Sequence, residues 1–166
     1  RFVLAAKTMV ETSQWLFPQR GIELYAEKPP TFMWLQAASY VLVRSWDVAF
    51  LLPCLLAALL TLWLTGDLAR RLWGKRTTDY TVLGLFVCLQ FVLQAKRAQI
   101  DMVLVGMTTL SLWALVRYLL EKPSPWLLMV GTFAAGLGTV TKGVGFLPLL
   151  VFVPWLWVRW KSPHLL

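Results

Sequence analysis

Long apolar runs separated by short charged segments make up most of the chain after residue 47. Five runs are apolar enough to cross a bilayer: 48–65, 80–95, 102–120, 126–141 and 144–158. A helix of 18 residues, such as the first run, spans about 27 Å, close to the thickness of a bilayer core. The second, fourth and fifth runs are short, so we expect flanking residues to complete those spans. The pattern predicts an all-α integral membrane protein with about five transmembrane helices.

Residues 1–47 follow a different pattern. Apolar residues recur at helical spacing between polar ones near the start, which predicts an amphipathic helix lying on a membrane surface. Prolines and a glycine indicate a loop over 19–30, followed by a short apolar helix over 31–43. That helix would be about 20 Å long, too short for an ordinary span, so we predict that it does not cross. Residues 1–47 are therefore expected to be external juxtamembrane helices and a loop, and 48–166 a transmembrane bundle.

Composition supports a membrane protein and excludes several other classes. The chain is 58% hydrophobic and 14% charged, with a net charge of +8 and ten tryptophans. Soluble domains are less apolar and carry more charge, whereas tryptophan and basic residues collect at membrane interfaces. The basic residues punctuate apolar runs instead of forming one exposed face, so we expect no nucleic-acid partner. Cys54 and Cys88 both lie in apolar runs, which predicts buried free thiols.

The basic residues between the runs predict an orientation. Eight lie on one side of the membrane and four on the other, and the positive-inside rule places the larger group in the cytoplasm. The eight are Arg70, Arg71, Lys75, Arg76, Arg117, Lys122, Arg159 and Lys161, and the four are Arg44, Lys96, Arg97 and Lys142. The segments 44–47, 96–101 and 142–143 then share the opposite face, which is periplasmic in a bacterium or lumenal in a eukaryote.

Three groups of charged residues on that opposite face are candidates for chemistry. Glu27 and Lys28 precede a double proline, Lys96 and Arg97 lie just ahead of Asp101, which opens an apolar run, and Lys142 ends a run. Cations neutralise a phosphate leaving group, and a carboxylate can accept the proton of an attacking hydroxyl or bind a metal. The mixture therefore predicts transfer from a lipid-linked phosphate. The alternatives are a surface ion pair for Glu27 and Lys28, a helix N-cap for Asp101 and a span-end anchor for Lys142. For Lys96 and Arg97 the alternative is that they end a span and snorkel to the interface.

Small residues near the fourth run favour packing over ligand binding. Gly136, Gly138 and Lys142 lack the spacing and the preceding strand of a phosphate-binding loop. Gly131, Ala135 and Gly138 instead predict a small-residue face for close approach of two helices.

Several motifs, taken in order, resemble a known enzyme family. The first external loop of C-type glycosyltransferases is similar to Arg1–Ala6 with Trp15-Leu16-Phe17-Pro18, followed by Tyr25-Ala26-Glu27-Lys28-Pro29-Pro30 and Trp34. The similarity is greatest to bacterial aminoarabinose–lipid A transferases and their protein O-mannosyltransferase relatives. Ile100-Asp101 and Thr141-Lys142-Gly143 continue the match. The resemblance implies a polytopic inner-membrane enzyme that moves a sugar from a polyprenyl phosphate to a lipid A-like or protein acceptor on the periplasmic face.

The resemblance also implies roles for individual residues. Arg1 and Lys28 match positions associated with the donor phosphate, and Lys142 matches a basic residue facing the same cavity. Asp101 matches a second acidic position, and Glu27 matches one linked with polar contacts or a divalent metal. The family's main acidic pair would lie ahead of Arg1. We therefore expect this chain to be part of a longer protein, and to be inactive alone.

Two other functions remain open from the sequence. A secondary transporter would also place charges within the membrane, but it tends to have an internal repeat and charges near mid-bilayer. The sequence has no evident repeat, and its charges gather at one face, which favours the enzyme. A non-catalytic scaffold or truncated paralogue would lack the acidic pair.

Overall fold

The computed structural model describes residues 2–12, 19–20, 23–24, 31–121 and 123–161. The described chain is almost entirely helical, which confirms the all-α prediction. Its one sheet is a short antiparallel pair, Gln19–Arg20 with Glu23–Leu24. Nine α-helices lie in these ranges: α1 Phe2–Thr12, α2 Thr31–Val43, α3 Trp46–Ala49, α4 Leu52–Trp73, α5 Lys75–Val87, α6 Leu89–Ala95, α7 Ile100–Leu120, α8 Pro125–Lys142 and α9 Phe152–Lys161. A 3₁₀ helix, Val144–Val151, joins α8 to α9.

The described residues contain fewer membrane-spanning candidates than the five predicted. Three stretches are long and apolar enough to cross a bilayer: Trp46–Trp73, Ile100–Leu120 and Val144–Lys161. The pair α5 and α6 makes a fourth if the two helices count as one bent span. The 18-residue helix α8, predicted as a span, is not among them.

The second predicted span, 80–95, is not one continuous helix. α5 and α6 are bent by 66° at Cys88, whose backbone is extended (φ −61°, ψ 111°). The bend turns Cys88 outward, so the prediction that this thiol is buried was wrong. Cys54 is buried as predicted, and both cysteines are free.

Side-chain contacts define the directions of α4 and α7. At their starts, Cys54 Sγ lies 3.3 Å from the carbonyl oxygen of Gln99, to which it donates a hydrogen bond. At their ends, Arg71 Nη1 lies 3.1 Å from Glu121 Oε1. The two helices are therefore parallel, and α5 and α6 return the chain between them. We call the two ends of the bundle the Asp101 end and the Glu121 end.

The helices α7 and α8 are antiparallel and very closely packed. A Cβ atom added to Gly131 would lie 2.7 Å from the Leu115 side chain, and Ser111 Oγ donates a 2.7 Å hydrogen bond to the Gly131 carbonyl oxygen. A Cβ atom at Gly138 would lie 3.2 Å from Cα of Gly145 in the 3₁₀ helix. These approaches confirm the predicted small-residue packing face, and they fix where α8 ends relative to α7.

The N-terminal helices pack against each other. Ala6 and Met9 of α1 are buried together with Met33 of α2. The apolar side of the predicted amphipathic helix is thus at least partly covered by α2. Phe32 of α2 is buried in a cluster with Cys54 and Ile100 at the Asp101 end. With 13 residues, α2 is shorter than a span, and its location on one side of the membrane stays a prediction.

Candidate functional site

Asp101 lies in the first turn of α7. The helix begins at Ile100 after Gln99, which is the N-cap residue and has an extended backbone (φ −118°, ψ 136°). Asp101 is therefore not the N-cap, and no side-chain capping hydrogen bond is formed there. A carboxylate in the first turn is still favoured by the partial positive charge of the helix N-terminus. This position leaves the carboxylate free to bind other groups.

Lys142 is the last residue of α8. Gly143 follows with a positive φ of 36°, a conformation that suits glycine, and the chain turns there into the 3₁₀ helix. An ammonium group at this end is favoured by the partial negative charge of the helix C-terminus. The turn holds the lysine at the Asp101 end of the bundle.

The structure brings Asp101 and Lys142 into direct contact. Lys142 Nζ lies 2.5 Å from Asp101 Oδ1, although the residues are 41 positions apart. The two side chains are 39% and 46% exposed, respectively. Lys142 keeps two further N–H donors, and Asp101 keeps its second oxygen. A half-exposed pair with unused donors and acceptors can bind a ligand that carries both phosphate and hydroxyl groups.

The other predicted site residues are not placed beside this pair. Arg1, Glu27 and Lys28 lie outside the described residues, as does Lys122 of the basic set, so their predicted roles stay predictions. Lys96 and Arg97 lie in the exposed turn before α7. In the part of the chain that the structure describes, neither of them forms an ion pair.

The described residues do not form a metal site. No group of three or more His, Cys, Asp or Glu side chains comes close enough within the described ranges to hold a metal ion. Asp101 is a single carboxylate already paired with an ammonium group, which competes with a cation. A divalent metal held by Glu27 therefore stays a prediction, and no reaction step is derived through it.

A second polar cluster lies at the Glu121 end. Asp67 Oδ2 accepts hydrogen bonds from Arg71 Nε at 2.6 Å and from Trp113 Nε1 at 2.8 Å. The two Glu121 oxygens accept from Arg71 Nη1 at 3.1 Å and from Arg117 Nε at 2.9 Å. We call these five residues the Glu121 network. It ties the end of α4 to the end of α7.

The network lowers the pKa of its Glu121 carboxylate. Burial raises the pKa of Glu121, but hydrogen bonds from Arg117 and Arg71 outweigh it and leave the pKa below its ordinary value of 4.5. The sequence analysis treated Arg71 and Arg117 only as determinants of orientation. Two signals could have revealed their partners, because Asp67 with Arg71 and Arg117 with Glu121 are spaced at i, i+4.

The fold and the charged pair define a class of protein, a helical membrane protein with an exposed carboxylate–ammonium pair at one end. Comparison with protein families shows to which family of membrane proteins the chain belongs. The family described as dolichyl-phosphate-mannose-protein mannosyltransferase matches residues 27–166. The chain belongs to this family, which confirms the resemblance seen in its motifs.

Individual relatives and solved structures are consistent with this family. The chain is 29% identical to the undecaprenyl phosphate-alpha-4-amino-4-deoxy-L-arabinose arabinosyl transferase of Erwinia tasmaniensis, over 96% of this chain and 30% of that protein. It is 26% identical to an uncharacterized protein of Aquifex aeolicus, over 96% of this chain and 32% of the relative. The chain thus spans about a third of the length of these relatives.

Two crystal structures of ArnT from Cupriavidus metallidurans, apo and bound to undecaprenyl phosphate, match with a TM-score of 0.87 at 27% identity. They cover 99% of this chain, and 33% and 32% of ArnT, respectively. The arrangement of helices is therefore that of the corresponding part of ArnT.

Proposed function

We propose that this chain is the donor-binding part of a membrane glycosyltransferase that uses a polyprenyl-phosphate-linked sugar. The sugar passes to a lipid A-like phosphate or hydroxyl, or to a protein hydroxyl. The observation that carries the proposal is the Asp101–Lys142 contact, because it places a half-exposed ammonium group at the end of a membrane bundle. Family membership and the likeness to ArnT bound to undecaprenyl phosphate support this choice of ligand.

The pair suits the charge change of the reaction. During transfer, the bond between sugar C1 and the phosphate oxygen breaks, and its electron pair stays on the departing polyprenyl phosphate. A bond from the acceptor oxygen to C1 forms, and the acceptor proton passes to a base. Lys142 donates hydrogen bonds to the phosphate oxygens, where negative charge grows as the bond breaks. Asp101 holds the lysine in place and offers its second oxygen to a hydroxyl of the sugar or acceptor.

The remaining predicted residues complete the proposed site. Arg1 and Lys28 add positive charge for the phosphate, and Glu27 contributes a polar or metal contact. Because Asp101 is already engaged by Lys142, we assign the acceptor proton to the acidic pair expected ahead of Arg1. This division of labour also predicts that the chain alone does not catalyse transfer.

The Asp101 end is proposed to be on the periplasmic side of a bacterial inner membrane. The support is the excess of basic residues at the other end, including Arg70, Arg71 and Arg76 around the turn between α4 and α5. A polyprenyl-phosphate sugar and a lipid A-like acceptor would then meet on that side.

The bend between α5 and α6 bears on the transporter alternative, because transporters use broken helices to bind ions and substrates. The break at Cys88 is flanked by Val87 and Leu89, both strongly exposed and uncharged. In transporters such breaks line a site at the interface between repeats, whereas here the flanking side chains lie on the outside of the described bundle, so the enzyme remains the better proposal.

The test is the substitution Lys142→Met in the full-length protein, assayed for sugar transfer from a polyprenyl-phosphate donor. We expect a loss of about 100-fold in turnover, since a donor aimed at developing charge contributes this much in other enzymes. Lys96→Met is the matched control, because it removes the same charge at the same end from a residue that forms no ion pair in the described chain. Equal rates for Lys142→Met and the unaltered protein would contradict the proposal.

A further inference from the structure

We propose that the groove between α4 and α5, at the Glu121 end, binds an anionic glycerophospholipid. The groove is open to the surface of the bundle and has a volume of about 420 Å³, room for a phosphate and part of one acyl chain. It is separate from the Asp101–Lys142 pair, which lies at the opposite end of the bundle. The inference does not depend on transferase activity.

The groove is amphipathic along its length. Leu59, Leu62 and Val82 line its inner part, and Arg70 and Thr78 line the part towards the helix ends. The α4 members recur every three or four residues and so lie on one side of the helix. Since 46–73 is long and apolar enough to cross the membrane, the leucines lie at hydrocarbon depth and Arg70 near the interface. A phospholipid has the same order of apolar and charged parts.

The charge at the polar end of the groove favours an anion. Asp67 also lines the groove, but Arg71 pairs with its Oδ2 atom at 2.6 Å and Trp113 donates to the same oxygen. Arg70 is exposed and forms no ion pair among the described residues. Lys75 and Arg76 follow directly at the start of α5 and are also exposed. The guanidinium of Arg70 is therefore available to a phosphate, which it can bind through two N–H groups.

The rest of the groove suits a lipid better than a free phosphate. Trp63 borders the groove next to Leu62 and is 62% exposed, so its ring adds apolar surface that an acyl chain can contact. Thr78 Oγ1 lies 3.4 Å from the Gly66 carbonyl oxygen and 3.2 Å from that of Gly74, so its proton is directed to the backbone. Its lone pairs remain able to accept a hydrogen bond from a headgroup hydroxyl.

The experiment measures lipid binding to the purified full-length protein in detergent by native mass spectrometry. Phosphatidylglycerol and phosphatidylcholine are titrated separately, and millimolar inorganic phosphate is added as a competitor. We expect phosphatidylglycerol to bind about tenfold more tightly than phosphatidylcholine, and inorganic phosphate to leave that binding unchanged. Equal affinity for the two lipids, or displacement by inorganic phosphate, would overturn the proposal. So would the absence of any binding, which would mean that another segment covers the groove.

Two variants and a control test the location. Arg70→Gln is expected to weaken phosphatidylglycerol binding about tenfold and leave phosphatidylcholine unchanged. Leu59→Trp should fill the apolar part and weaken phosphatidylglycerol binding without changing any charge; because Leu59 is 54% exposed, the helices need not move. Arg159→Gln removes the same charge at the same end, on α9, and should change affinity less than about twofold. If Arg159→Gln matches Arg70→Gln, or Leu59→Trp has no effect, diffuse charge explains the binding and the groove is not the site.

Discussion

The two ends of the bundle use charged residues in different ways. At the Glu121 end, four hydrogen bonds link two carboxylates, two guanidinium groups and an indole N–H in a network that joins α4 to α7. At the Asp101 end, one ammonium and one carboxylate join α7 to α8 and keep unused donors and acceptors. Both clusters connect helices, but the Asp101–Lys142 pair is held by a single contact, whereas Arg71 alone bridges two carboxylates in the Glu121 network. The number of internal contacts thus distinguishes the candidate site from the structural cluster.

The largest expected effect on stability comes from Arg71→Met in the Glu121 network. The change leaves Asp67 and Glu121 without the cation that bridges them, and the Asp67 side chain is only 21% exposed. We expect a loss of about 2 kcal/mol in the free energy of unfolding, between the values for surface and buried pairs. Equilibrium unfolding in mixed micelles measures it. Transfer activity of the folded protein should stay within about twofold, because the site lies at the other end.

Arg76→Met is the control for that experiment. Arg76 is exposed at the same end and forms no ion pair in the described ranges. Its substitution should change the free energy of unfolding by less than about 0.5 kcal/mol. Equal losses for the two variants would show that net charge, and not the network, stabilises this end.

In contrast to Arg71→Met, Asp101→Asn should change donor binding more than it changes the stability of the fold. The pair is exposed, so we expect less than about 1 kcal/mol of destabilisation. The KM for the donor should rise about tenfold, because Lys142 loses the group that positions it. Asp101→Glu should restore part of the donor affinity, which a purely structural role would not predict. A strongly destabilised Asp101→Asn variant with an unchanged KM for the donor would show that the Asp101–Lys142 pair is structural and does not bind the donor.

The smallest effect concerns acid stability at the Glu121 end. The pKa of Glu121 is lower in the folded protein than its ordinary value of 4.5, because hydrogen bonds from Arg117 and Arg71 outweigh burial. A lowered folded-state pKa contributes stability that is present above pH 4.5 and is lost as the pH falls through the folded-state value. Glu121→Gln should therefore reduce the pH dependence of unfolding below that pH. An unchanged acid-unfolding profile would mean that this carboxylate does not contribute.

Much of the helical architecture could be predicted from hydrophobic runs, but two departures from it could not. The runs at 102–120 and 126–141 match α7 and α8 within two residues. The bend at Cys88 has no proline or glycine at the break, so the sequence carries no clear signal for it. The last run begins as a 3₁₀ helix containing Pro148, and Gly145 of this helix packs directly on the backbone of Gly138.

The site could be predicted in part. The prediction that Asp101 and Lys142 lie on one face of the membrane follows from counting spans. Asp101 lies at the start of α7, and Lys142 ends α8, which runs antiparallel to α7. Their direct contact could not be read from the sequence, because it depends on the depth to which α8 packs on α7 at Gly131. Lys142 was equally compatible with a span-end anchor. The structure shows that it also pairs with Asp101, 41 positions away, and its role in a site stays a proposal.

Donor binding tests the central claim most directly. The full-length protein, Lys142→Met and the control Lys96→Met would each be titrated with undecaprenyl phosphate, and the dissociation constant measured without any acceptor present. We predict that Lys142→Met raises the dissociation constant about tenfold, as expected for a lost hydrogen bond to a charged group, and that Lys96→Met leaves it unchanged. An unchanged dissociation constant in Lys142→Met would show that the pair does not bind the donor phosphate.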